Sequence, residues 1–429
     1  MWTRYAAPQR ALPHWPLYVM FAAMPLWWLL GGLYLGWTLF GMLLVVVLLA
    51  HGRVAWPPGS ALWFVLVGLV LVSATRLEKA SGLLVYGLRV GFVLTAFVVY
   101  LYVYTAARQG ARWERLFQPV LFFWLAMVML GWVGVLAPRL ALTTPVELLL
   151  PDGLAGQRMI RAVTHVHSTE FNPTGRNPYY RTAAPYPYTN NWGTGFALLV
   201  PCVLAYLSSV RTGALRAVLM VSLPLALVPA FLTLNRGMFI GLGVGLVYLG
   251  LRALLRGDVR LIGTITAGVA VAWVVTLVVP VGDMIMNRVE NTDSTRDRAD
   301  LYRQTLDAVL RSPLLGYGAP RSADTTTGAE PLGTQGQVWL TMYSHGIPAL
   351  LALLALLVVL IRTTAVAVSP AGRWLSVVPV VALALAPFYG FTDMNLSVMF
   401  FAMGLAVAAV DGPVNREPAA PVAARPSPG

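Results

Sequence analysis

The chain has one cysteine, Cys202, and one lysine, Lys79, in 429 residues. A lone thiol can neither close an intramolecular disulfide nor complete a zinc site, so neither device braces this fold. Charge is scarce as well. Only 11% of the residues are charged, where a soluble domain carries about a quarter. With 58% hydrophobic residues and a mean hydropathy of +0.71, a soluble globular chain is excluded, and so is a disordered one. The apolar–polar alternation of a transmembrane β-barrel is missing too, because the apolar runs are continuous. No Walker sequence, GxSxG or HExxH occurs. His165, His167 and Glu170 in THVHSTE read as solvated loop residues rather than metal ligands. No metal or other cofactor is expected.

What is present is apolar sequence in membrane-length runs. At about 20 residues per helical span, windows fall near 15–31, 33–50, 61–75, 83–106, 116–136, 193–209, 216–234, 237–251, 261–280, 337–361, 375–389 and 394–410. The expected fold is an all-α integral membrane protein of about twelve transmembrane helices. It forms a single polytopic domain over 1–411, with a disordered, Pro/Ala-rich cytoplasmic tail over 412–429. The first run follows Arg4 and Arg10, lacks a small-residue cleavage site and leads straight into another span, so it reads as an uncleaved anchor.

Arginine placement orients the chain. The N-terminus, the tail and the connectors 51–60, 107–115, 210–215, 252–260 and 362–374 alternate correctly with the spans. They hold Arg53, Arg108, Arg112, Arg211, Arg252, Arg256, Arg260, Arg362 and Arg373, among others. The positive-inside rule makes them cytoplasmic, with both termini inside. The formal charge of +13 therefore speaks of the membrane and not of nucleic acid. Two long segments, 137–192 and 281–336, fall outside. The second contains Asp283, Glu290, Asp293, Asp297, Asp300, Asp307, Asp324 and Glu330, eight of the 17 acidic residues. Within it, 295–311 has helical periodicity, with Ser294 and Asp297 spaced as a capping box. Ser312-Pro313 should stop that helix and Gly316-Tyr317-Gly318 should turn the chain. An amphipathic helix there would lie on the outer membrane surface.

Several outer arginines stand out. Arg236 occupies an almost absent connector, where a charge at the membrane boundary needs a partner or solvent. Gly237, Gly241 and Gly245 follow at the spacing that admits a closely packed helix, and a snorkelling arginine is the plainer reading. Arg298 sits at a helix start already favourable to anions, so it invites either a bound anion or pairing with Asp297 or Glu290. Arg89 lies about two turns inside a span. Before the sixth span, Arg181 accompanies Tyr186, Tyr188, Asn190 and Trp192. Those rings suit a sugar face and suit an interfacial aromatic belt equally.

The order of NRGMFIGLGVG, then Arg298 with SPLLGYG, then QVWLTMYSHGIPALLALLAL resembles the bacterial O-antigen ligase and polymerase superfamily, polytopic glycosyltransferases of the GT-C type. RTAAPYPYTNN is similar to the arginine-then-asparagine stretch of that family. The resemblance covers roughly 175–365. It implies that Arg236 and Arg298 grip the pyrophosphate of a polyprenyl-linked glycan donor, with Arg181 a weaker match. Arg89, Arg321, Tyr188, Asn190 and Trp192 complete the expected substrate-binding set. The family's histidine position falls at Gln335, and glutamine takes no proton at neutral pH. Gln335 is then left to orient the acceptor, and Glu330 or Asp324 to serve as base. The expected function is transfer of a saccharide to a hydroxyl on a lipid, glycan or peptidoglycan acceptor at the outer face of the plasma membrane. The alternatives are a flippase for polyprenyl-linked lipid or polysaccharide, and a non-catalytic cell-wall assembly scaffold.

Overall fold

Long apolar runs surrounded by lipid can satisfy their backbone N–H and C=O groups only within a helix, and helices dominate the structure. The computed structural model describes residues 11–77, 81–172, 179–278, 294–320 and 332–411. Of the sequence expectations, Glu330, Arg321, the tail 412–429 and much of 281–336 lie outside the described residues.

The chain enters through α1 (Trp15–Leu17), a π-turn over Tyr18–Ala22 and α2 (Met24–Leu30), then continues as α3 (Leu35–His51) and α4 (Ser60–Val72). Next come α5 (Ser81–Arg108) and α6 (Trp113–Leu136). The segment after α6 carries α7 (Pro145–Leu149), α8 (Asp152–Ala155) and α9 (Arg158–Thr164), with two small antiparallel sheets. In these, β1 (Ala141–Thr143) pairs β2 (His165–His167), and β3 (Thr169–Asn172) pairs β4 (Tyr179–Thr182). Then follow α10 (Thr189–Ser209), α11 (Ala214–Leu232), α12 (Arg236–Arg256), α13 (Val259–Val278) and α14 (Ser294–Arg311). The chain closes with α15 (Gln337–Ala365), α16 (Pro370–Leu375), α17 (Val377–Leu385) and α18 (Asp393–Asp411).

Among the described residues, α5, α6, α10, α11, α12, α15 and α18 are each long and apolar enough to cross a membrane. Four shorter apolar stretches accompany them: Leu35–His51, Ser60–Arg76, Val259–Val274 and Pro370–Leu385. THVHSTE, read as loop, is instead β2 and the start of β3, held by ladder bonds to β1 and β4. There His165 Nδ1 meets Glu147 Oε2 at 3.1 Å. The expected helix after Ser294 is α14, and its end at Arg311 falls where Ser312-Pro313 predicts.

Helix α18 is the axis of the bundle. Of its apolar window, 94% is buried, and it packs along α5, where Gly404 lets Val103 approach. Helix α15 is broken at Gly346, whose φ of 87° and ψ of 171° are not helical. The break releases the carbonyls of Tyr343 and Ser344. They accept the N–H groups of Tyr317 (3.0 Å) and Gly318 (2.7 Å), while Ile347 N–H reaches Pro313 O (2.8 Å). A Cβ at Gly346 would strike the Leu314 carbonyl. The SPLLGYG turn thus reaches about 9–14 Å along α15 from its start, taking 1.5 Å per residue from Gln337 to Tyr343 and to the break at Gly346. Irregular backbone there is tolerable because its polar groups bond into the break, with Gly316 and Gly318 buried.

Candidate site where four helix starts converge

The first turns of α10, α12, α15 and α18 meet at one end of the bundle, held by the linker between α17 and α18. Side chains and backbone share the work. Asn235, the N-cap of α12, accepts from Met238 N–H at 3.0 Å and donates its Nδ2 to Asn190 O at 3.1 Å. Gly237 N–H donates to the Tyr389 hydroxyl at 3.0 Å. Gln337 N–H reaches Tyr389 O at 2.9 Å, and its Oε1 accepts from Phe391 N–H at 3.0 Å. Asn191 donates to Gly390 O at 3.1 Å, and Asn395 donates to Asn191 O at 3.0 Å. Glycines permit the closeness. A Cβ at Gly193 would overlap Asn235, one at Gly237 would overlap the Tyr389 ring, and one at Gly336 would overlap Pro387 O.

Each helix start carries roughly half a positive charge, so four together make a field that favours anions before any side chain is added. Arg236 follows the N-cap directly and is exposed beside this hub. The turn behind it is tight. Leu234 holds φ at 49°, a left-handed conformation costly for a branched residue. Arg181, only 6% exposed, donates Nε to Thr233 O at 2.8 Å and NH2 to Asn190 Oδ1 at 3.4 Å. Its guanidinium therefore positions the turn that presents Arg236. Glu170, opposite Arg181 in the β3–β4 ladder, accepts Thr189 N–H at 3.1 Å and so steadies the start of α10.

Arg89 opens on a small cavity of about 40 Å³, room for very little beyond water. Gln337, Thr341, His345 and Phe391 line it too, which places Arg89 directly beneath the start of α15. Its Nε is buried with no hydrogen-bond partner among the described residues. His345 Nδ1 lies 2.7 Å from Ser73 Oγ, so this histidine is engaged inside the bundle and stands away from Gln335. Tyr34 is within electrostatic range of Arg89, Tyr188 and Asp393.

The structure thus brings Arg181, Asn190 and Arg236 together and sets Gln335 beside the same linker. Arg89 and Tyr188 form a neighbouring group. Trp192 is separate: it is fully buried and stacks on Phe196 at 5.6 Å, so it serves the core and offers no face to a sugar. Tyr186 is buried as well, whereas Tyr188 is exposed. The backbone of Arg298 lies in the first turns of α14.

Sequence reasoning missed Asp393, Asn191, Asn235, Tyr389 and Asn395. Asp393 is wholly buried in the first turn of α18, where the backbone N–H groups of Asp393 and Met394 lie beside its carboxylate and no side chain among the described residues hydrogen-bonds it. Burial first, and the Asp393 charge second, push the Tyr186 hydroxyl well above its ordinary value, so it remains an O–H donor. Asn191, Asn235, Asp393 and Asn395 share one signal in the sequence, polar side chains at the edge of an apolar run, and Tyr389 closes such a run.

A comparison with curated proteins gives no match. A family model described as O-antigen ligase matches residues 221–354, from the middle of α11 past the break in α15. That span includes Arg236, Arg298, Glu330 and Gln335, and over it the chain is similar to the O-antigen ligase family.

Proposed function

We propose that the protein transfers a saccharide from a polyprenyl-pyrophosphate carrier to a hydroxyl-bearing lipid, glycan or peptidoglycan acceptor, at the outer face of the plasma membrane. The observation that carries this reading is the convergence of four positive helix starts on Arg236, in a chain whose 221–354 segment matches O-antigen ligase. In this reading the polyprenyl tail lies among the apolar helices. Arg236 and Arg298 hold the pyrophosphate, and Arg89, Arg321, Tyr188 and Asn190 contribute to substrate binding. The acceptor oxygen attacks the anomeric carbon as the bond from that carbon to the phosphate oxygen breaks. The bonding electron pair leaves with polyprenyl pyrophosphate, whose developing charge the arginines stabilise. Gln335 orients the acceptor and Glu330 receives its proton. No metal or nucleotide takes part. The seven long helices, four shorter ones and broken 15–30 segment make twelve passes, with the helix-start hub outside and both termini inside.

The test is to incubate the purified protein with a polyprenyl-pyrophosphate saccharide and an acceptor extract. A new glycoconjugate is expected. A donor moved across a reconstituted bilayer but left chemically intact would favour the flippase reading.

A further inference from the structure

At the bundle end opposite the hub, a second arginine group gathers that glycan transfer does not use. Arg252 and Arg256 stand one turn apart at the end of α12, and both donate to the same carbonyl, Ala367 O, at 2.8 and 3.2 Å. Arg252 also donates to Ser376 Oγ at 2.6 Å and lies 5.6 Å from the centre of the Tyr248 ring. Arg373, on α16, pairs with Asp258. Asp258 is itself committed to Leu261 N–H at 3.1 Å, at the start of α13. Three guanidinium groups thus crowd one carboxylate and one carbonyl. Their mutual electrostatic influence is direct: Arg252 and Arg256 both act on Arg373.

A helix C-terminus accounts for one arginine through its dipole. It does not account for three in mutual repulsion. An oxyanion with several acceptor oxygens does, because planar guanidinium forks bind phosphate in pairs. The surroundings choose the source of that phosphate. Leu251 and Leu255 on α12, and Val366 and Val368 flanking the shared carbonyl, are all exposed apolar residues. A free phosphate has no use for them, whereas acyl chains cover them. Basic pockets between helices at a membrane boundary recognise anionic headgroups in this manner.

We infer that Arg252, Arg256 and Arg373 form a seat for the phosphate of an anionic phospholipid, whose chains lie over Leu251, Leu255, Val366 and Val368. Bound lipid ties α12 to the α15–α16 linker. The test uses the full chain in neutral detergent and measures Tm with added phosphatidylglycerol, phosphatidylcholine or inorganic phosphate. Retained lipid is counted by native mass spectrometry. Phosphatidylglycerol should raise Tm by mass action, with little effect from the other two. The shift and the retained lipid should fall by at least half in Arg256→Gln, whose side chain is exposed and whose acceptor, Ala367 O, keeps its bond from Arg252. Both should persist in Arg53→Gln, an exposed arginine elsewhere at this end. Equal shifts with phosphatidylcholine, a shift reproduced by inorganic phosphate, or undiminished retention in Arg256→Gln would each overturn the proposal.

Discussion

Arg236 and Arg181 both lie between apolar runs of the sequence, the first in an almost absent connector and the second in the long segment 137–192, and their surroundings assign them different work. Arg236 is exposed, so Arg236→Ala should leave Tm unchanged while lowering transfer by about 10²-fold or more, the usual loss when one charge-stabilising donor is removed. Arg236→Lys should be nearly as poor, since an ammonium lacks the planar fork. Arg181 is buried and satisfies Thr233 O. Arg181→Ala should therefore cost about 1–3 kcal/mol of stability, the penalty of an abandoned buried acceptor, with transfer falling alongside. Thermal melts paired with transfer assays separate the two patterns. A wild-type melt for Arg181→Ala would contradict the positioning role. Sequence alone could not make this distinction, because burial depends on strands β3 and β4 folding over the α11–α12 turn.

Among the elements, the helices follow from local physics: apolar runs, Asn235 as an N-cap and Gly257 as a left-handed C-cap frame α12 without tertiary help. The convergence of helix starts does not. It depends on the linker between α17 and α18, which in sequence is only a short turn containing Tyr389, Phe391 and Asp393. The glycine spacing at Gly237, Gly241 and Gly245 did announce close packing, and all three face α17 or Tyr389. Gly237→Ala should accordingly lower both Tm and transfer, because the new methyl group meets the Tyr389 ring. Gly243→Ala is the control on the same helix. It faces open space, so it should be neutral or stabilise by up to about 1 kcal/mol through helix propensity. Equal effects at the two positions would count against the packed hub. The broken α15 was equally hidden, since HGIP reads as an ordinary small-residue step until the SPLLGYG turn is seen bonded into the gap.

At the scale of the molecule, composition together with the length and continuity of the apolar runs pointed to a helical membrane protein, and arginine placement supplied an orientation that labelling can check. Cys202 is buried, so the background is low. In intact cells, an impermeant maleimide should modify Leu149→Cys, at the end of α7. It should spare Arg260→Cys, at the start of α13, until the membrane is opened. The reverse pattern would place the hub in the cytosol. The most direct measurement follows free polyprenyl pyrophosphate after purified protein meets a polyprenyl-pyrophosphate saccharide and a hydroxyl acceptor. Release that depends on the acceptor, and falls about 10²-fold or more in Arg236→Ala, is the expected result. A donor that stays intact with acceptor present, or equal release from Arg236→Ala, would contradict the account.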